Sequence, residues 1–160
     1  MKRKRIISSL LLVMIMVSAM TITAFAASSS KTFTSSPRAA GSMSLYLEPD
    51  ASGISSIATL NVTGLPDNAI VEKIVADCNT ISSSGSGAIL SNRLFIKSSN
   101  YSEWVSMPWG RLNQTEFTTG LSGRAANGTY QLYYTGTNVS SRKDASKTYS
   151  AIKLTVYYTY

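Results

Sequence analysis

The sequence predicts an all-β protein, an antiparallel β-sandwich or jelly roll of about eight strands. Three observations carry that expectation. Apolar and polar residues alternate one by one in several stretches, which puts each set on one face of a strand. Clusters of Gly, Pro, Asp, Asn and Ser separate those stretches at short intervals. After residue 26, no run of eleven or more residues shows a convincing 3.6-residue period.

Met1 to Ala26 reads as a secretory signal peptide and lies outside the fold. Lys2, Arg3, Lys4 and Arg5 form a charged start, Leu10 to Val17 an uninterrupted apolar core, and Ala24-Phe25-Ala26 a small-x-small cleavage site. An uncleaved anchor would need about 18 apolar residues, and Ser8, Ser9, Ser18, Thr21 and Thr23 dilute the run. Ala27 to Gly41 has few large apolar groups and is expected to be a flexible leader. A single domain should then span residues 42–160.

Within that domain, Ser42–Glu48 alternates with Met43, Leu45 and Leu47 on one side. Pro49 to Gly53 is a turn cluster, and Ile57–Val62 alternates again. Gly64 to Asn68 turns the chain into Ile70–Cys78, a longer strand that Glu72-Lys73 interrupts at a bulge or an edge. Ser82 to Gly87 reads as a flexible loop by composition. Arg93–Lys97, Trp104–Met107, Glu116–Thr118 and Gly128–Thr135 follow as strands. Thr148–Tyr160 is the clearest, with Ile152, Leu154, Val156 and Tyr158 on one face. Nothing hydrophobic follows it, so a released, extracellular protein without a stable membrane anchor is expected.

Composition excludes several chemistries. There is no His, so Ser-His-Asp and Cys-His nucleophile systems and imidazole metal sites are absent. The one cysteine, Cys78, cannot form an internal disulfide and is expected as a buried strand residue or a free thiol. Low cysteine use with a Lys-Arg-Lys-Arg start fits a bacterial exported protein. Beyond residue 26, eleven bases face eight acids, a net charge of +3 against +7 for the whole chain. Arg142, Lys143 and Lys147 form the one basic cluster, broken by Asp144, and read as a solvated loop; no nucleic-acid partner is expected. Asp67 with Asn68 falls short of a calcium cage, so no metal and no cofactor is expected.

Ser140 and Lys143 share a Ser-x-x-Lys spacing without a partner motif. Glu103 and Glu116 are the acids that lie beside aromatic residues, and they define the enzymatic alternative, a glycan-cleaving carboxylate pair. Binding is the better prospect. Tyr101, Trp104, Trp109 and Arg111 fall within eleven residues around Pro108-Trp109-Gly110. Aromatic faces stack on sugar rings, and Arg or Asn donors hold hydroxyls. These four residues are the candidate ligand surface for a cell-wall or matrix glycan. Either tryptophan could instead fill the core. Trp104, with Val105 and Met107 beside it, is the better core candidate, and Trp109, between Pro and Gly, the better exposed one. Seven of nine tyrosines lie between Tyr130 and Tyr160, which suits strands and also suits a surface-protein interaction face.

Two stretches and a third short run resemble the P domain of proprotein convertases, a jelly-roll module. Leu65-Pro66-Asp67-Asn68 with the strand after it, Asn92-Arg93-Leu94-Phe95-Ile96, and Ala126-Asn127-Gly128-Thr129-Tyr130-Gln131-Leu132 carry the likeness, over Leu65 to Tyr160. The family's closing Gly-x-Leu-x-x-Trp-x-Leu pattern is missing, and Lys147 to Ile152 stands in its place. The resemblance implies a noncatalytic β-sandwich and brings no active site with it.

Overall fold

A computed structural model describes residues 26–160. The expected signal peptide, apart from Ala26, lies outside the described residues. Twelve strands are present: β1 Ser28–Thr34, β2 Met43–Leu47, β3 Ser52–Ile54, β4 Ala58–Val62, β5 Ile70–Asp77, β6 Thr80–Gly85, β7 Ile89–Ser98, β8 Tyr101–Pro108, β9 Gln114–Phe117, β10 Gly128–Asn138, β11 Ala145–Ser150 and β12 Lys153–Thr159. Among the described residues there is no α-helix, only short 3-10 turns at Ala39–Gly41 and Arg111–Asn113.

Every pairing is antiparallel, and the pairings reduce twelve strands to eight positions. β3 and β4 lie end to end along the same edge of β10. β11 and β12 are one strand broken at Ala151-Ile152, and β5 and β6 are one strand broken at Cys78-Asn79. β1 and β2 occupy the far edge of that broken pair. Numbering the eight positions along the chain gives sheet orders 1-8-3-6 and 2-7-4-5, the connectivity of a jelly roll with two Greek keys. The expected strand number is therefore right as positions, while half of those positions are split in two.

The breaks differ from the sequence reading in three places. The segment 27–41 is not a free leader: β1 pairs along its whole length with β12, Ser28 opposite Thr159 through Thr34 opposite Lys153. Its polar side chains face outward, but its backbone supplies the ladder, which composition does not reveal. Ser82–Gly87 is not a loop: Thr80–Gly85 pairs with β11 as β6, again with polar exposed side chains on a bonded backbone. The last strand does not run unbroken from Thr148 to Tyr160. Ala151 takes a left-handed φ of 47° and turns the chain between β11 and β12.

Two buried serines mend the breaks. At Ile152 the main chain would lose its edge partner. Ser35 restores it: its N–H donates to Ile152 O (2.8 Å), its Oγ accepts from Ile152 N (2.9 Å) and donates to Gly41 O (2.6 Å). Between β3 and β4, Ser55 treats Tyr134 the same way, donating its N–H to Tyr134 O (2.9 Å) and accepting from Tyr134 N at Oγ (3.0 Å). Buried backbone polar groups must be paired, and a serine supplies both a donor and an acceptor within one residue.

One core fills the space between the sheets. Tyr130, Leu132 and Tyr134 of β10, Leu94 and Ile96 of β7, and Leu60 of β4 face Leu154 and Val156 of β12 and Val71, Ile74 and Ala76 of β5. A bulge keeps β5 in step. Lys73 pairs with Tyr157 and Val71 with Tyr158, leaving Glu72 unpaired. Without that extra residue, Val71 and Ile74, three apart, would point to opposite faces. The sequence reading located this interruption at the same dipeptide. At one end of the sandwich, buried Asn138 donates through Nδ2 to Leu47 O, Glu48 O and Lys143 O.

Ser35→Ala should lower stability in urea denaturation by about 1–3 kcal/mol, because the N–H of Ile152 is left buried and unpaired. Exposed Ser36→Ala, its neighbour, should change stability by less than about 0.5 kcal/mol.

Candidate functional site

The outer face of the five-stranded sheet collects the side chains that β7, β8 and β10 turn away from the core. Alternation decides which they are. Burying Leu94 and Ile96 on β7 turns Arg93, Phe95 and Lys97 outward, and burying Leu132 and Tyr134 on β10 turns Gln131, Tyr133 and Thr135 outward. Tyr133 pairs with Phe95 and Gln131 with Lys97 across the ladder.

On β8, three residues from Ser102 to Trp104 stand against the single Lys97 between the pairs Ser98–Tyr101 and Ile96–Val105. This bulge aims Trp104 across β7. Its ring centroid comes within 4.6 Å of Tyr133, two strands away, edge to face at 74°. Phe95 and Tyr133 are stacked at 4.5 Å and 8°. The Lys97 ammonium sits 4.8 Å from the Trp104 ring centre. Burial against these neighbours pushes the Tyr133 hydroxyl pKa up. Beside the aromatic group lies an open pocket of about 330 Å³, lined by Lys97, Ser98, Ser99, Ser102, Thr129 and Gln131. Arg93 donates from Nη2 to Ser106 O (3.3 Å) and Oγ (2.9 Å), tying β7 to β8 at the other end of the face.

The structure exchanges the roles expected of the two tryptophans. Trp104 belongs to this outer face. Val105 and Met107 pack on the core, so by period two Trp104 between them and Ser102 had to point outward. Trp109 packs inward against the core tyrosines, 5.6 Å from Tyr134 and 4.8 Å from Tyr149. Its N–H donates to Asn113 Oδ1 (3.2 Å). The turn that tucks it under requires Gly110, because a Cβ there would fall 1.5 Å from Gln114 O. Arg111 and Leu112 swing out to solvent. Tyr101 packs on the core with Arg124 over its ring at 4.7 Å, and its hydroxyl donates to Glu103 (2.9 Å).

Tyr101, Trp104, Trp109 and Arg111 therefore do not form one surface. Trp104 alone joins the outer aromatic group, and sequence reading missed Phe95, Tyr133, Lys97 and Gln131. The signal was available: each stands at an odd position between buried residues in an alternating run. Of the tyrosines grouped toward the C-terminus, Tyr130, Tyr134, Tyr149 and Tyr158 are buried, which leaves Tyr133, Tyr157 and Tyr160 facing outward.

The remaining candidates are engaged elsewhere. Glu116 on β9 forms an ion pair with Lys73 (3.2 Å), and Glu103 is on β8 of the other sheet. Among the described residues, no group of three or more Cys, Asp or Glu could hold a metal ion. Lys147 is not part of a solvated loop: it lies on β11, and its ammonium donates to Ile89 O (3.1 Å). Cys78 is fully buried just past β5. Burial, and secondarily Asp77, push its thiol up to about 12. Burial likewise pushes Tyr130 up to about 12 and raises Tyr134. Asn127 clamps the Leu65-Pro66 turn, accepting from Leu65 N (3.1 Å) and donating to Leu65 O (3.0 Å).

No family model matches the chain, and no curated protein matches it. Among solved structures it is similar to a chain of the cyanophage Pam1 capsid asymmetric unit, with TM-score 0.38, 15% identity and coverage of 84% of this chain and 86% of that one. It is also similar to TmCBM61, solved in complex with beta-1,4-galactotriose, with TM-score 0.29, 9% identity and coverage of 78% and 86%. At these scores, function rests on the residues of this chain.

Both indoles are half-buried, but Trp109 packs against the core and Trp104 does not, so acrylamide should quench Trp104 more than Trp109 in the native protein. Trp104→Phe should therefore remove most of the quenchable emission, whereas Trp109→Phe should leave it. The reverse result would restore the expected placement. High pH supplies a second test. Cys78, Tyr130 and Tyr134 keep their protons to higher pH when folded than when unfolded, where the values are 9.0 and 10.0. Their neutral forms favour the fold equally at all lower pH, and that advantage is lost as pH climbs beyond 9. Denaturation midpoints should be insensitive to these groups up to about pH 9 and fall from there toward pH 12, with Cys78→Ala moving the onset up by about one pH unit.

Proposed function

We propose that the protein is a secreted, noncatalytic β-sandwich that binds an extracellular glycan, of the cell wall or matrix, on the outer face of the five-stranded sheet. The observation that carries this reading is the half-buried, outward-facing group of Trp104, Tyr133 and Phe95 beside a polar pocket. Aromatic rings left at a surface keep apolar area in water, and a sugar's C–H face covers such area without burying charge. The lining of hydroxyls, an amide and an ammonium supplies hydrogen bonds to sugar hydroxyls. The sheet backbone holds the platform rigid, so little ordering is needed on binding. The candidate site thus keeps Trp104 from the sequence reading and exchanges Tyr101, Trp109 and Arg111 for Phe95, Tyr133, Lys97 and Gln131.

A panel of neutral and charged polysaccharides, assayed by affinity electrophoresis, tests the proposal. At least one should bind the native protein. Trp104→Ala should then weaken binding by roughly tenfold or more, since a stacked aromatic contributes on the order of 1 kcal/mol beyond the area it covers. Arg111→Ala should leave it unchanged. Undiminished binding by Trp104→Ala, or no binding to any polymer, would overturn the proposal.

A further inference from the structure

The charges on the platform are not balanced. The strands of the five-stranded sheet, β3, β4, β7, β8 and β10, contain three charged residues: Arg93, Lys97 and Glu103. Both cations point outward from β7. Glu103 accepts a hydrogen bond from the Tyr101 hydroxyl, at the hairpin end of β8. The other seven acids lie on the opposite sheet, in turns or beside Tyr46. Among the described residues, no carboxylate forms an ion pair with Lys97 or Arg93, and Lys73 with Glu116 is on the other face.

Lys97 has a particular place. It belongs at once to the aromatic group, 4.8 Å from the centre of the Trp104 ring, and to the lining of the pocket. A sugar stacked on Trp104 would bring its ring substituents to the ammonium. A neutral hydroxyl there gains a hydrogen bond. A carboxylate gains a charge-assisted one, shorter and about twice as strong. The neighbouring Ser99, Ser102 and Gln131 can donate to the second oxygen.

We infer that the glycan is acidic, a chain of sugars that carry carboxylates, with Lys97 as the residue that selects charge and Arg93 as a second cation along the chain. This rests on the glycan reading above and names the class of sugar it takes. Charge selection and stacking are separable, because Lys97 lies over the Trp104 ring as a cation and is not itself the stacking surface.

The experiment compares polygalacturonate, alginate and hyaluronan with the methyl ester of each, which keeps the sugar chain and removes its charge. Titration calorimetry at low salt should show at least one acid form bound roughly tenfold more tightly than its ester, the scale of one charge-assisted hydrogen bond. The ratio should shrink toward one as salt rises to about 0.5 M, since ions screen a half-exposed charge. Lys97→Gln should bring the ratio near one at low salt by weakening the acid form far more than the ester, and Lys97→Arg should keep the preference. Trp104→Ala should weaken acid and ester alike. Equal affinity for acid and ester, or binding confined to neutral polymers, overturns this inference and leaves the sugar platform standing. Failure of every polymer, here and in the wider panel, overturns both.

Discussion

Period-two alternation along β10 is the constraint on which the rest of the molecule depends. Tyr130, Leu132 and Tyr134 fill the middle of the core, and β10 is paired on both sides, by β7 and by β3 and β4. A strand so placed cannot choose its outer face independently. Burying Tyr134 with its hydroxyl on Lys147 O forces Tyr133 outward, opposite Phe95. The aromatic platform is thus the reverse side of the core, and its rigidity is inherited from it.

Long strands in a two-sheet fold must also bend, and this chain bends by breaking. The cost of a break is an unpaired amide or carbonyl in the interior. Ser35 and Ser55 meet that cost with their own backbone and hydroxyl groups, each serving the strand opposite the gap. Bulges perform the complementary task within strands. The one at Glu72 restores the inward phase of β5, and the one at Ser102 to Trp104 turns an indole over the neighbouring strand. The same device that corrects the core in one sheet builds the candidate site in the other.

Legibility followed the strength of the alternation. β2, β4, β10 and β12 show it plainly, and each was readable with its buried face, while the interior of β7 was readable as a strand without its face. β1 and β6 did not, because Ser and Thr cover their exposed sides and edge pairing is made by backbone that every residue possesses. The site was legible in part. Trp104 was identified as a candidate ligand contact but weighed as core, since proximity to Val105 and Met107 was given more weight than the face it shares with Ser102 and Ser106. Trp109 looked exposed because Pro and Gly flank it. The turn they make instead folds the indole under the sheet against Tyr149.

By itself the sequence determined the class of fold, the faces of its strongest strands, the place where β5 is interrupted and the chemistries closed to a chain without histidine. These follow from local rules, in which a residue's neighbours two positions away decide its face. Tertiary structure alone decided which strands lie side by side, and so which outward residues become neighbours. Phe95, Trp104 and Tyr133 stand on three strands that hydrogen bonds bring within a few ångströms, and no rule confined to one strand can place them together.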